Sequence, residues 1–144
     1  MSNILINTHI FVRLEGDHKY LLECIKKCYD IIIFSNEILK EYKGRAVSLL
    51  ILQSFIQYLQ KINKMEYKKR SYIQSRYKRI SRVRTIKLPQ HNKDSKWVKT
   101  AVATQAKYII SQDPHLTDLS PFKHNGDNTE VITPTRYLDI RCSH

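Results

Sequence analysis

Short, fully apolar runs separated by helical patterns restrict the fold of this chain more than any other feature. The run Ile31–Phe34 reads IIIF without polar alternation, which predicts a strand buried on both faces, as in a parallel sheet. Similar runs at 4–6, 108–111 and 131–132 predict further strands, and 86–88 predicts an edge strand. Because helical patterns lie between these runs, we predict one α/β domain over residues 1–144, with a mainly parallel sheet flanked by helices.

The helices are predicted from their periodicity and from the residues that begin them. Four helices are expected to start at capping or proline-containing positions: Asp17, Ser35, Asp94 and Thr133-Pro134. Two more follow from periodicity alone, an apolar helix over 46–62 and a basic helix within 64–87. Gly44 is expected to interrupt or end the helix before 46, and the polar stretch 120–128 is expected to be a loop.

Polar residues follow the predicted strands at one edge of the sheet. The carboxyl ends of parallel strands face a single edge, and open sheets bind their ligands there. Asn7 would end the first strand, and Glu41 would lie near the start of the helix after the second. Asp94 would begin its helix and Asp113 would follow the next strand. The order of elements therefore predicts three carboxylates and one carboxamide at this edge.

Such a group of oxygen ligands has a specific chemical consequence. Carboxylates this close repel one another unless a cation lies between them, and oxygen ligands without His or Cys favour Mg²⁺ or Mn²⁺ over Zn²⁺. These ions activate water and neutralise a phosphodiester during hydrolysis. Each acid also has a simpler interpretation, with Asp94 as a helix cap, Asp113 as a loop residue and Glu41 as a surface residue favoured by the helix dipole. Their shared edge favours the metal site.

The positive charge of the chain is concentrated in one segment. The net charge is +12, and residues 64–87 contain ten Lys and Arg against one acid, Glu66. This concentration indicates a polyanionic partner such as RNA. The predicted nucleic-acid contacts are Lys68, Lys69, Arg70, Arg76, Lys78, Arg79, Arg82 and Arg84. The interleaved Tyr67, Tyr72 and Tyr77 could stack on unpaired bases, or Tyr72 and Tyr77 could pack inward.

Cysteine content and hydropathy bear on location. Cys24, Cys28 and Cys142 are an odd number in a sequence that shows no secretion signal, so we expect buried, reduced cysteines. The longest apolar run, 46–59, is interrupted by polar residues and is shorter than the ~20 residues that span a bilayer. A soluble, cytoplasmic protein with no membrane contact is the expectation.

Three segments resemble the PIN-domain family, metal-dependent ribonucleases that include toxins of toxin–antitoxin pairs. They read IIIFSNEILKEY, DSKWVKTAVATQAKYIISQDPHLTDL and VITPTRYLDI, and the resemblance extends across most of the chain, from residue 31 to residue 140. The resemblance implies a three-layer fold, an RNA substrate, and Glu41, Asp94 and Asp113 as metal-site acids. It also implies that Ser111 orients Asp113. An antitoxin-like protein or a second copy would pack on nearby helices, where the candidate apolar residues are Leu49, Leu52, Phe55 and Ile56.

The first acidic position of the family departs from this pattern. The family has Asp-Thr-Asn where this chain has Asn7-Thr8-His9. Asn7 can offer one uncharged oxygen to a cation, which weakens metal binding. We therefore expect an attenuated or inactive endoribonuclease with Asn7, Glu41, Asp94 and Asp113 at its metal site. Two alternatives stay open: a non-catalytic nucleic-acid-binding or protein-interaction module, and a basic structural protein whose acids never meet.

Overall fold

The computed structural model describes residues 2–83, 86, 88, 94–124 and 127–142. The strands are β1 (Asn3–Ile6), β2 (Ile31–Phe34), β3 (Met65–Tyr67), β4 (Tyr108–Ile110), β5 (Phe122–His124) and β6 (Asp127–Ile132). The helices are α1 (Thr8–Phe11), α2 (Lys19–Lys27), α3 (Asn36–Arg45), α4 (Leu49–Lys61), α5 (Arg70–Val83), α6 (Ser95–Thr104), α7 (Pro114–Thr117) and α8 (Pro134–Cys142).

The sheet has the order β3-β2-β1-β4-β6-β5. The first five strands in this order are parallel, and β5 pairs antiparallel with β6. The predicted α/β class with a mainly parallel sheet flanked by helices is confirmed, and it is consistent with a three-layer PIN-like fold. From β1 the chain moves outward to β2 and β3, and it then returns past β1 to β4. The strand order therefore reverses between β1 and β4, and such a switch point is where open α/β sheets bind ligands.

The central strands are buried on both faces, as their uniform apolar sequences predict. Ile4, Leu5 and Ile6 of β1 have no solvent exposure, and all three residues of β4 are buried. Helices must therefore cover both sides of this sheet. The largest fully buried side chain is Trp97 of α6, which lies 6.3 Å from the Tyr42 ring of α3, measured between centroids. This contact fixes the position of α6 relative to α3.

Serine caps set the starts of α3 and α4. Ser35 Oγ accepts a hydrogen bond from the Ile38 amide at 3.3 Å, which confirms the predicted cap. Ser48 Oγ accepts from the Ile51 amide in the same way, so α4 begins at Leu49 rather than at residue 46. By contrast, Asp17 does not cap α2, because that helix begins at Lys19 with His18 at the N-cap position.

Short elements account for most of the wrong assignments. The basic segment is not helical throughout, because β3 pairs with β2 at the edge of the sheet before α5 begins. The stretch 120–128 contains part of a hairpin rather than only a loop, because β5 pairs with the start of β6. The helix α1, directly after β1, was not predicted. The predicted edge strand 86–88 includes Lys87, which lies outside the described residues.

The prediction of reduced cysteines was wrong for two of the three. Cys24 of α2 and Cys142 of α8 form a disulfide across 118 residues of sequence, and Cys28 is a free, partly exposed thiol. Asp30, in the short connection between α2 and β2, also binds α8, because it accepts hydrogen bonds from Tyr137 Oη at 2.7 Å and Arg141 Nε at 2.8 Å. Only the packing of α2 on α8 brings the two cysteines together, and their sequence spacing carries no sign of it.

Candidate metal and nucleic-acid site

The carboxyl edge between β1 and β4 is held in a fixed register. Ile6 of β1 lies opposite Ile110 of β4, and the Asn7 amide donates to the Ile110 carbonyl at 2.9 Å. Asn7 and Ser111 therefore leave the sheet side by side at its switch point. The Asn7 carbonyl then accepts hydrogen bonds from the amides of Ile10 and Phe11, so the chain turns at once into α1.

Glu41 is brought to this edge by its neighbour in α3. Tyr42 Oη donates to the Ile6 carbonyl at 2.7 Å, and the Tyr42 ring stacks on Phe11 with centroids 4.1 Å apart. Burial and the charge of Glu41 raise the pKa of Tyr42 well above its usual value, so the hydroxyl stays protonated and donates. Thr8 Oγ1 donates to Glu41 Oε2, which places Thr8 and Glu41 in direct contact.

Glu41 has a second partner that was not predicted, Lys96 of α6. Lys96 Nζ lies 2.7 Å from Glu41 Oε1, and the two side chains are 14% and 29% exposed. Glu41 thus uses one carboxylate oxygen for Thr8 and the other for Lys96. The Lys96 ammonium ion therefore compensates the charge of Glu41. In the sequence, the only sign of this contact is the position of Lys96 in the first turn of the helix that begins after Asp94.

Asp94 and Asn7 are buried polar side chains that have no hydrogen-bond or ion-pair partner among the described residues. Asp94 is 9% exposed and precedes α6, but its carboxylate does not cap the helix. Asn7 is 6% exposed, and its side chain does not cap α1. Among the described residues, neither side chain has a hydrogen bond or an ion pair. Buried polar groups of this kind are nearly always satisfied, so both have the capacity to bind a ligand.

Asp113 has a different environment from the other acids. Its Oδ1 accepts from the His115 amide at 3.0 Å and so caps the short helix α7. Ser111 Oγ accepts from the Asp113 backbone amide at 2.9 Å, so Ser111 positions the backbone of Asp113. Partial burial lowers the pKa of His9, although the charge of Asp113 opposes this effect. His9 is thus close enough to Asp113 to sense its charge.

The described residues contain no group of three or more His, Cys, Asp or Glu side chains that could hold a metal ion. The fold places Asn7, Glu41, Asp94 and Asp113 along one edge, but their acids do not form a ready metal cage. Their roles as metal ligands remain a prediction.

The cations predicted to bind nucleic acid divide into two groups. Three of them have protein partners: Lys68 pairs with Glu66 at 3.0 Å, Arg70 with Glu37 at 3.9 Å, and Arg76 donates to the Ala103 carbonyl at 2.8 Å. Four have no carboxylate partner among the described residues and are exposed: Lys69, Lys78, Arg79 and Arg82. Arg84 lies outside the described residues.

The tyrosines of the basic segment also differ from one another. Tyr67 and Tyr72 are exposed, and Lys68 and Arg76 lie over the Tyr72 ring at 5.0 and 5.4 Å from its centroid. Tyr77 is partly buried, and Lys99 Nζ lies 5.6 Å from its ring centroid. Packing inward therefore describes Tyr77 better than Tyr72, and Tyr67 and Tyr72 have the exposure that base stacking requires.

An open cavity of about 910 Å³ lies between α5 and the first turns of α3 and α6. Its basic lining residues are Arg70, Lys78, Lys96 and Lys99, and its hydroxyl-bearing lining residues are Ser35, Ser71, Ser75, Ser81, Ser95, Thr100 and Tyr77. Glu37 is the one acid in the described lining. The cavity is therefore basic and rich in hydrogen-bond donors.

No family model, no curated protein and no solved structure matches the chain. Within the described part of the chain, every helix is too short or too polar to cross a lipid bilayer.

Proposed function

We propose that this protein is a PIN-like, divalent-metal-dependent endoribonuclease that hydrolyses RNA phosphodiesters at the edge between β1 and β4. The supporting observation is that Asp94 and Asn7 are buried at this switch point without side-chain partners in the described structure. A buried carboxylate costs free energy unless a charge compensates it, and a cation would satisfy both groups at once.

The oxygen ligands fit Mg²⁺ or Mn²⁺. Asn7, Glu41, Asp94 and Asp113 would hold the ion, and their oxygen donors suit Mg²⁺ or Mn²⁺ better than zinc. When bound, the ion supplies water activation and neutralises charge on the phosphodiester. Thr8 holds one Glu41 oxygen through its hydroxyl, and Ser111 fixes the backbone of Asp113. The first contact restricts rotation of the Glu41 carboxylate, and the second fixes the backbone from which the Asp113 side chain projects.

Two features of this chain would attenuate the activity. Asn7 brings no charge to the site, and Lys96 already neutralises Glu41 at 2.7 Å. A divalent ion must therefore displace an ammonium ion before it can use both Glu41 oxygens. We expect a high metal requirement and slow cleavage.

Cleavage of a labelled single-stranded RNA in Mn²⁺ tests this proposal. Asp94→Asn should abolish cleavage, and Asn7→Asp should increase it, because the added charge tightens metal binding. Asp139→Asn on the exposed surface of α8 makes the same change away from the edge and should leave cleavage unchanged. If Asn7→Asp neither binds Mn²⁺ by calorimetry nor cleaves RNA, the ribonuclease proposal fails.

The Lys96–Glu41 ion pair also favours a second candidate function, a non-catalytic nucleic-acid-binding module. An ammonium ion that permanently occupies Glu41 would keep metal out, while the exposed cations Lys69, Lys78, Arg79 and Arg82 would still bind RNA phosphates. This function predicts salt-sensitive RNA binding in wild-type protein and in Asn7→Asp, with no cleavage in either. The same pair of proteins therefore separates the two candidates.

This protein offers less exposed apolar surface to a protein partner, either an antitoxin-like protein or a second copy, than the sequence predicts. Leu52, Phe55 and Ile56 are buried in the monomer, so only Leu49 of the four candidate residues is exposed. At the start of α4 the exposed apolar residues are instead Val47, Leu49, Leu50 and Ile51. We propose that the protein acts in the cytoplasm.

A further inference from the structure

The cavity between α5 and α6 has the chemistry of a phosphate-binding site. Arg70 makes only a long, exposed ion pair with Glu37, at 3.9 Å, and such surface pairs contribute little. Lys78 has no carboxylate partner among the described residues, and Lys99 lies over the Tyr77 ring. Four cations against one acid, together with seven hydroxyl groups, match the oxygen acceptors of a phosphodiester.

Lys96 connects this cavity to the acidic edge. It is a lining residue of the cavity, and its ammonium group also contacts Glu41 at 2.7 Å. Glu41 in turn contacts Thr8, the residue after Asn7. Lys99, one turn further along α6, lines the same cavity but faces Tyr77 and makes no ion pair with a described acid. The two lysines thus share the cavity and differ in their contact with the acids.

We propose that the cavity binds backbone phosphates of single-stranded RNA, and that a bound phosphate draws the Lys96 ammonium away from Glu41. RNA binding then opens the acidic edge to a divalent cation. This inference rests on the proposed function, because it assigns the substrate strand and its regulation to the same edge.

The lysine side chain suits this exchange. Its ammonium ion is a point charge on a flexible four-carbon stem, so it can move between two anions without a change in the backbone. A phosphate in the cavity gives Lys96 an anionic partner that competes with Glu41, and the ion pair with Glu41 is then less favoured. Glu41 keeps its hydrogen bond from Thr8 and gains a free oxygen for the cation.

A single strand fits the cavity better than a duplex. About 910 Å³ is at the upper end of the range for small-molecule pockets and accommodates a short piece of a flexible chain. The partly buried Tyr77 provides an aromatic ring within the cavity, and single-strand sites commonly combine cations with aromatic rings.

Neighbouring cations on α5 provide a matched test of the cavity. Lys78 lines it, whereas the next residue, Arg79, is exposed and outside the lining. Lys78→Glu should weaken binding of fluorescent decauridylate at least fivefold more than Arg79→Glu, measured by anisotropy at fixed salt, and a duplex RNA of equal length should show no such difference. Equal losses for the two variants would mean general electrostatic attraction and would overturn the inference.

The coupling between RNA and metal tests the role of Lys96. Mn²⁺ binding is measured by calorimetry with and without 2′-O-methyl decauridylate, whose integrity is checked by gel. RNA should tighten Mn²⁺ binding to the wild-type protein at least fivefold, and by linkage Mn²⁺ should tighten RNA binding by the same factor. In Lys96→Met, Mn²⁺ should bind more tightly without RNA, and the coupling should shrink. Lys99→Met removes a cation from the cavity and should weaken RNA binding, but at saturating RNA it should retain the wild-type coupling, because Lys99 makes no ion pair with a described acid.

The outcomes separate this inference from the proposed function, since neither assay reads cleavage. Coupling that depends on Lys96, in a protein that never cleaves RNA, would support the inference and refute the ribonuclease. Cleavage accompanied by equal coupling in wild type, Lys96→Met and Lys99→Met would refute the inference and leave the ribonuclease standing.

Discussion

The ion pair between Lys96 and Glu41 should be measurable as a coupling energy in a double-mutant cycle. The pair is neither on the surface nor fully buried, because the side chains are 14% and 29% exposed. Surface pairs contribute about 0.2–1 kcal/mol, and removing one partner of a fully buried pair costs about 3–5 kcal/mol. We expect a coupling of about 1–3 kcal/mol between Lys96→Met and Glu41→Gln, from the free energies of unfolding in urea at pH 7.

The two single substitutions should not be equal. Glu41→Gln leaves the more buried group, the ammonium ion, without its anion and should cost about 2–3 kcal/mol. Lys96→Met leaves a more exposed carboxylate that still accepts from Thr8, and it should cost about 1–2 kcal/mol. A coupling below about 0.5 kcal/mol would show that the pair behaves as a solvated surface contact, and the argument that Lys96 competes with a metal would lose its basis.

Magnesium adds a second readout to the same cycle. If removal of Lys96 frees Glu41 for a cation, Mg²⁺ at ten times its dissociation constant should stabilise Lys96→Met by about 1.4 kcal/mol. The wild-type protein should gain less at the same concentration, because Lys96 still occupies Glu41. Equal gains for Lys96→Met and Lys99→Met would indicate that the ion binds elsewhere.

Three further predictions concern stability. Trp97→Ala should cost about 3–5 kcal/mol in denaturant unfolding, because Trp97 is fully buried against Tyr42, and a cost under about 1 kcal/mol would contradict that packing. Cys24→Ser should cost about 2–4 kcal/mol relative to the oxidised protein, and reduction of the wild type should reproduce the loss; equal stability of both redox states would contradict the disulfide. The pKa of His9 is lowered in the folded protein, so as pH falls His9 is protonated in the unfolded chain before it is protonated in the folded one. Stability should therefore drop as pH falls from about 6.5 through the folded-state pKa, and His9→Gln should remove this component; an unchanged pH profile would contradict the burial of His9.

The sequence is sufficient to predict the parallel core because its strands are apolar on both faces. Ile31–Phe34 can be stable only between covering helices, and Ser35 directly after it caps the helix that carries Glu41. The strand β3 could not be predicted, because Met65–Tyr67 has only three residues and owes its conformation to pairing with β2. Short edge elements are determined by their neighbours and carry little local signal of their own.

The same division applies to the site. Asn7, Glu41, Asp94 and Asp113 could be placed at one edge because strand order alone decides where strands end. The contact between Glu41 and Lys96 could not be predicted, because it depends on how α3 crosses α6. Tertiary packing of Tyr42 against Trp97 determines that crossing. The disulfide between Cys24 and Cys142 could not be predicted for the same reason, because only the packing of α8 on α2 brings the two cysteines together.

Asn7 and Lys96 change the charge of this edge in the same direction, and this is why the ion pair matters for function. An edge with four carboxylates would carry a formal charge of −4 and would require a cation to fold without strain. With Asn7 and Lys96 in place, the three remaining acids and one ammonium ion carry −2. One of the three acids, Glu41, is thus compensated within the protein, and the use of Glu41 by a divalent cation becomes conditional on something that moves Lys96. Restoring the acid with Asn7→Asp should consequently have a larger effect on metal binding in Lys96→Met than in wild type, and additive effects in calorimetry would argue that the two positions act independently.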